Sequence, residues 1–211
     1  GRERPLPGRS LGGTDMTERR GNSERRTTET SVVVTIDLDG GQVSVSTGIP
    51  FFDHMLNQLG RHGGLGLHVE CTGDLEVDAH HTVEDVGIAL GEAFLAAVGD
   101  KRGVRRFASV RVPLDEALVE VALDLSGRPF LHYDVEYPGE KILGDPPFDP
   151  QLVEEFWRAF TVAGRITMHM TLIRGKNTHH IVEAGFKAVA RALRDALRLE
   201  GSGVPSTKGS L

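Results

Sequence analysis

Two short stretches carry the residues best suited to chemistry. His80-His81-Thr82-Val83-Glu84 and His179-His180-Ile181-Val182-Glu183 each set a histidine doublet ahead of a glutamate, and they start 99 residues apart (179 − 80). On a helix, positions i and i+4 stack on one face, while i and i+1 diverge by about 100°. Glu84 therefore lies beside His80 (i+4) and His81 (i+3), whereas two adjacent imidazoles cannot easily chelate one ion together. The doublet makes sense if each ring faces a different metal, with the other repeat completing both shells. Two pseudo-equivalent sites follow, each drawing on both halves.

An earlier helix in each repeat offers a further ligand. His54 precedes His80 by 26 residues and Glu155 precedes His179 by 24. The candidate ligands are His54, His80, His81, Glu84, Glu155, His179, His180 and Glu183. Imidazole and carboxylate without thiolate suit Mn²⁺, Fe²⁺ or Zn²⁺, and open octahedral positions favour Mn²⁺. His62, His68 and His169 read as structural, and His132 carries no signal.

These residues need elements to position them. Residues 1 to about 27 are rich in glycine and charge without periodicity, and read as a disordered tail. Order is expected from Thr28. Thr30–Leu38 alternates as a strand, and Asp39-Gly40 suggests a hairpin into Val43–Thr47. Pro50 opens a helix that stops at Gly63-Gly64. Leu65–Cys71 reads as a strand, and from His81 apolar residues at three- and four-residue steps mark an amphipathic helix ending near Gly99. The second half repeats this with strands over Arg106–Val112, Ala117–Leu125 and Pro129–Val135, a helix over Pro150–Ala163, a strand over Ile166–Ile173 and a helix over His179–Leu199. The order β-β-α-β-α thus appears twice, with an extra strand in the second copy. The expected units are residues 28–102, residues 103–200 and a C-terminal loop, 201–211.

Arg106, Arg128, Lys187 and Ser206-Thr207-Lys208 are scattered, and singly each reads as solvated surface. Arg128 differs because Ser126-Gly127-Arg128-Pro129 holds it in a tight turn. Together these residues could grip a phosphate, arginine giving forked hydrogen bonds.

Composition narrows the class. The net charge of −6 argues against a nucleic-acid footprint. No apolar run approaches the roughly 20 residues that span a bilayer. The single cysteine, Cys71, excludes an intrachain disulfide and suits a reducing, cytoplasmic setting. A two-metal phosphatase or hydrolase is an alternative, as is a metal-storage or RNA-binding protein, since fold alone does not fix function, although the acidic balance counts against RNA.

Several ordered motifs resemble imidazoleglycerol-phosphate dehydratases: Phe51-Phe-Asp-His-Met-Leu56, Asp78-Ala-His-His-Thr-Val-Glu-Asp85, Pro113-Leu-Asp-Glu-Ala117, Asp124-Leu-Ser-Gly-Arg-Pro129, Gly175-Lys-Asn-Thr-His-His-Ile-Val-Glu183 and Pro205-Ser-Thr-Lys-Gly209. The resemblance implies an α+β fold of duplicated half-domains like the second domain of ribosomal protein S5, with helices on one face of each four-stranded sheet. It also implies two Mn²⁺ ions per active site, assembled between subunits of a homo-oligomer of twenty-four chains. Glu29 matches a substrate-contacting, proposed acid/base glutamate, and Glu183 is the second proton-transfer candidate. Gln58, Arg106, Arg128, Lys187, Ser206, Thr207 and Lys208 match substrate or phosphate positions, and His54, His80, His81 and His179 are expected to touch substrate as well. The implied reaction is metal-dependent dehydration of imidazoleglycerol phosphate to imidazole acetol-phosphate through an imidazolate and a diazafulvene, a step of histidine biosynthesis.

Overall fold

The computed structural model describes residues 18–139 and 142–211. The first half runs β1 (Arg20–Arg26), β2 (Thr30–Asp37), β3 (Val43–Ser46), α1 (Pro50–Gly63), β4 (Gly66–Gly73) and α2 (His80–Val98). The second repeats that order as β5 (Phe107–Leu114), β6 (Ala117–Asp124), β7 (Phe130–Asp134), α3 (Gln151–Gly164), β8 (Thr167–Arg174) and α4 (Thr178–Ala196). Each half forms a four-stranded mixed sheet, ordered β1-β2-β4-β3 and β5-β6-β8-β7.

Alternation within the strands creates one buried face per sheet. Val32, Val34 and Ile36 of β2, and Val119, Val121 and Leu123 of β6, point inward. The helices cover those faces: α2 packs on β1, β2 and β4, and α4 on β5 and β6. They also pack across the halves, α2 on α3 and α1 on α4, so a helical layer lies between the two sheets. Its centre is aromatic, with the Trp157 ring 4.7 Å from that of Phe186 and Phe156 stacked at 5.5 Å on Phe186. Burying each such side chain contributes roughly 1.5–3 kcal/mol. The α2–α3 crossing is close because Gly91 has no Cβ; one placed there would lie 2.7 Å from Ala163 Cβ and Phe160 O.

The helices that carry the doublets start at fixed points. Asn177 accepts the His180 N–H in its side chain at 3.1 Å, capping α4. Ahead of α2, Asp78 accepts the His80 N–H at 2.8 Å. At the start of α1, Asp53 accepts the backbone N–H of Thr47 at 2.9 Å and its hydroxyl at 2.6 Å, anchoring the turn that bears His54. Among the described residues no helix is long and apolar enough to cross a membrane.

Three expectations change. The tail read as disordered to residue 27 contains β1, which pairs with β2 from Arg20↔Asp37 to Arg26↔Ser31; residues 1–17 lie outside the described set. The first half therefore begins at β1, and the strand that looked extra in the second copy, β5, has β1 as its counterpart. The Asp39-Gly40 turn does not make a hairpin. β3 pairs in parallel with β4, and β4 lies between it and β2. A parallel pair needs a crossover, and α1 supplies it.

Candidate active site

Cross-half packing of α1 on α4 brings three predicted ligands together. Glu183 Oε2 lies 3.0 Å from His179 Nε2 and 3.2 Å from His54 Nε2. Its other oxygen, Oε1, is 2.7 Å from Lys187 Nζ. The ligand atoms of His54, His179 and Glu183 all lie within 4.8 Å of one another. Burial pushes the Glu183 carboxyl up, but hydrogen bonds from Lys187, His179 and His54 outweigh it and hold its pKa at about 2. The carboxylate is ionised, with one oxygen on the Lys187 ammonium and the other between two imidazoles.

The other crossing, α2 on α3, repeats this arrangement more loosely. His80 Nε2 is 3.8 Å from Glu84 Oε2. Glu155 shares a cavity of about 430 Å³ with His80, Asp78 and Asp149, and a second groove with Glu84. Glu155 is thus to α2 what His54 is to α4.

The second histidine of each doublet turns away from the first, with interplanar angles of 80° for His80–His81 and 79° for His179–His180. His81 Nδ1 is 2.9 Å from Asp74 Oδ2 and 3.6 Å from Glu29 Oε2. The hydrogen bond to Asp74 raises the His81 pKa. His180 Nδ1 is 2.7 Å from Glu116 Oε2, and His180 Nε2 is 3.7 Å from Asp115 Oδ2. Hydrogen bonds from His180 and then from the Asn177 and Lys176 N–H groups draw the Glu116 pKa down to about 2.

A second cluster gathers the predicted anion-binding residues. Arg106 donates from Nε and Nη2 to the two oxygens of Asp124, at 2.7 and 3.1 Å, and from Nη1 to the Pro205 carbonyl at 2.8 Å. The last bond brings the loop of Ser206, Thr207 and Lys208 to the arginine. Arg128 Nη2 is 4.0 Å from Asp124, and Ser126 Oγ accepts the Arg128 N–H at 3.1 Å. Two predicted substrate contacts are engaged elsewhere: Lys187 holds Glu183, and Gln58 Oε1 lies 3.0 Å from His62 Nε2.

Sequence reasoning missed three residues. Asp74 and Glu116 were not singled out, although Glu116 lies within a quoted motif. Lys101, 4% exposed, joins the second cluster, where burial and then repulsion from Arg106 lower its pKa. Burial of a lone lysine leaves no signal in sequence.

The family model for imidazoleglycerol-phosphate dehydratase matches residues 47–193, which include every predicted metal ligand. The chain belongs to the imidazoleglycerol-phosphate dehydratase family. It is therefore an enzyme, a lyase of histidine biosynthesis. The dehydratase of Jannaschia sp. (strain CCS1) is 56% identical over 89% of this chain and 96% of its own length. That of Cereibacter sphaeroides (strain ATCC 17029) is 52% identical over 92% of this chain and all of its own. Among solved structures, the Staphylococcus aureus dehydratase superposes with a TM-score of 0.77 at 38% identity, over 85% of this chain and 99% of that one. The Pyrococcus furiosus dehydratase also gives 0.77, at 37% identity over 89% and 99%. The duplicated architecture is thus the family's.

Proposed function

We propose that the chain dehydrates imidazoleglycerol phosphate to imidazole acetol-phosphate with two Mn²⁺ ions held by its histidine–glutamate clusters. The observation that carries this reading is the meeting of His54, His179 and Glu183, from both halves, within 4.8 Å. Two nitrogens and an ionised oxygen fit a borderline divalent cation. One ion would be held there and another by His80, Glu84 and Glu155. His81 and His180 stand outside the three-residue cluster, which supports their use in sites completed by further copies of the chain, up to the expected twenty-four. When bound, the metal would supply Lewis acidity that makes the substrate imidazole N–H more acidic, so that the ring could donate electrons as the C–O bond breaks and take them back as the carbon-bound proton leaves.

The chain's own groups then divide the work. Arg106, Arg128 and the Ser206–Lys208 loop hold the phosphate and keep the glycerol chain in register. Glu29 is the better proton carrier. It lies on the β1–β2 turn with its carboxylate half exposed and 3.6 Å from His81. Glu183 is held by Lys187, His179 and His54 and acts as a ligand, which leaves it a poor base. Loss of hydroxide and of a carbon-bound proton gives an enol and water, and the enol becomes the ketone.

The test is direct. Protein stripped by chelation and incubated with substrate should form no ketone, and Mn²⁺ should restore it. Full turnover in verified metal-free protein would overturn the reading. Release of inorganic phosphate in place of the ketone would favour a phosphatase.

A further inference from the structure

The duplicated doublets are supported differently in the two halves. The β1–β2 turn (Thr27–Glu29) and the β5–β6 turn (Asp115–Glu116) are equivalent, because Thr30 and Ala117 open the matching inner strands. Glu29 and Glu116 immediately precede those residues and so occupy the same place in each fold. Their use differs. Glu116 lies 2.7 Å from His180 Nδ1. Glu29 stays back at 3.6 Å from His81 Nδ1, because Asp74 has taken that nitrogen at 2.9 Å. Asp74 belongs to the β4–α2 connection, six residues long (Asp74–Ala79). The matching β8–α4 connection has three (Gly175–Asn177) and no acid.

We infer that Asp74 and Glu116 are positioning residues that fix the second histidine of each doublet, and that Asp74 thereby releases Glu29 for proton transfer. A carboxylate on Nδ1 selects the tautomer with hydrogen there and leaves Nε2 as the lone-pair nitrogen. Ring orientation is set too, since Asp74 is largely buried and its Oδ2 meets the ring nitrogen at 2.9 Å. In the second half the turn glutamate performs this task itself and is unavailable for chemistry. The asymmetry explains how two equivalent glutamates come to have different roles. The inference rests on the proposed function above for its affinity arm and for Glu29's part in proton transfer, and the tautomer arm stands apart from it.

Two measurements test it. In metal-free protein labelled with ¹⁵N-histidine, His81 and His180 should be Nδ1–H tautomers, and Asp74→Ala or Glu116→Ala should shift its own partner to a mixture. In the intact protein each alanine variant should weaken Mn²⁺ binding by about 10- to 100-fold at one site. Asp74→Asn and Glu116→Gln, whose amide oxygens still accept from Nδ1–H, should recover most of that loss. Glu29→Gln should bind Mn²⁺ within about twofold of the parent protein while its kcat collapses. Nε2–H tautomers in the parent protein would overturn the inference. So would alanine variants with unchanged tautomers, or a Glu29→Gln variant that loses Mn²⁺ as badly as Asp74→Ala. A parent protein that takes up no Mn²⁺ yet shows both Nδ1–H tautomers would sink the metal reading and leave the positioning roles standing.

Discussion

Arg25 on β1, Thr30 on β2 and Asp85 on α2 face one another in the first half; Val112, Ala117 and Ala184 stand at the equivalent places in the second. Arg25 Nε donates to Asp85 Oδ1 at 2.8 Å, and the Thr30 hydroxyl donates to Asp85 Oδ2. One half thus joins its outer strand to its helix with an ion pair and its inner strand with a hydrogen bond, where the other half has methyl groups. The backbone tolerates both. What the polar version adds is a tether between neighbours of functional residues, since Thr30 follows Glu29 and Asp85 follows Glu84. In the second half Glu116 binds His180 directly, and no tether is needed there.

Variants can break or sharpen this comparison. The largest effect is expected at Glu183. Glu183→Ala removes the partner of His54, His179 and Lys187, and should cost about 4 kcal/mol in transition-state stabilisation, roughly 10³-fold in kcat. Glu84→Ala, in the looser cluster, should cost less; equal losses in steady-state rates would show the two clusters to be equivalent after all. Next comes stability. Asp85→Ala strands Arg25 and Thr30 and should destabilise by about 3 kcal/mol in denaturant unfolding. The triple change Arg25→Val, Thr30→Ala, Asp85→Ala, which copies the second half, should return most of that stability yet leave kcat low because the Glu29 turn is untethered. Full recovery of both would refute the tether.

The smallest effect concerns Cys71, whose counterpart on β8 is Leu172. Burial pushes its thiol up to about 11, so it should resist thiol reagents at about pH 9 in the folded protein. The unfolded chain gives up that proton at lower pH. The thiol's contribution to stability is therefore complete below the unfolded pKa and declines as pH rises through about 11. Cys71→Leu should flatten that alkaline decline in a thermal-melt series.

The elements that hydropathy reads are those whose inward positions are apolar. Strand β5 shows Ala108, Val110 and Val112 on its inner side, whereas β1 shows Gly21, Ser23 and Arg25. Ser23 donates to Glu92 at 2.7 Å, and Gly21 lies so close to α2 that a Cβ would fall 2.0 Å from the Ala93 carbonyl. Such a strand is stabilised by partners far along the chain, so its own letters resemble a tail. The same applies to the turn after β2: Asp39-Gly40 permits a hairpin, but pairing with β4 decides otherwise. The convergence of His54, His179 and Glu183 was legible because helical spacing is local and the duplication repeats it. Asp74 and Glu116 were not. One sits on a connection whose counterpart is shorter and carries no acid, and the other reaches a histidine 64 positions away.

The seam between α2 and α3 ties the two halves into one body. Gly87 and Gly91 lie bare against Ala159 and Ala163, a surface shaped to fit another helix and nothing in water. A side chain added at either glycine would strike the facing helix, so growth at these two positions would push the halves, and with them Glu84 and Glu155, apart.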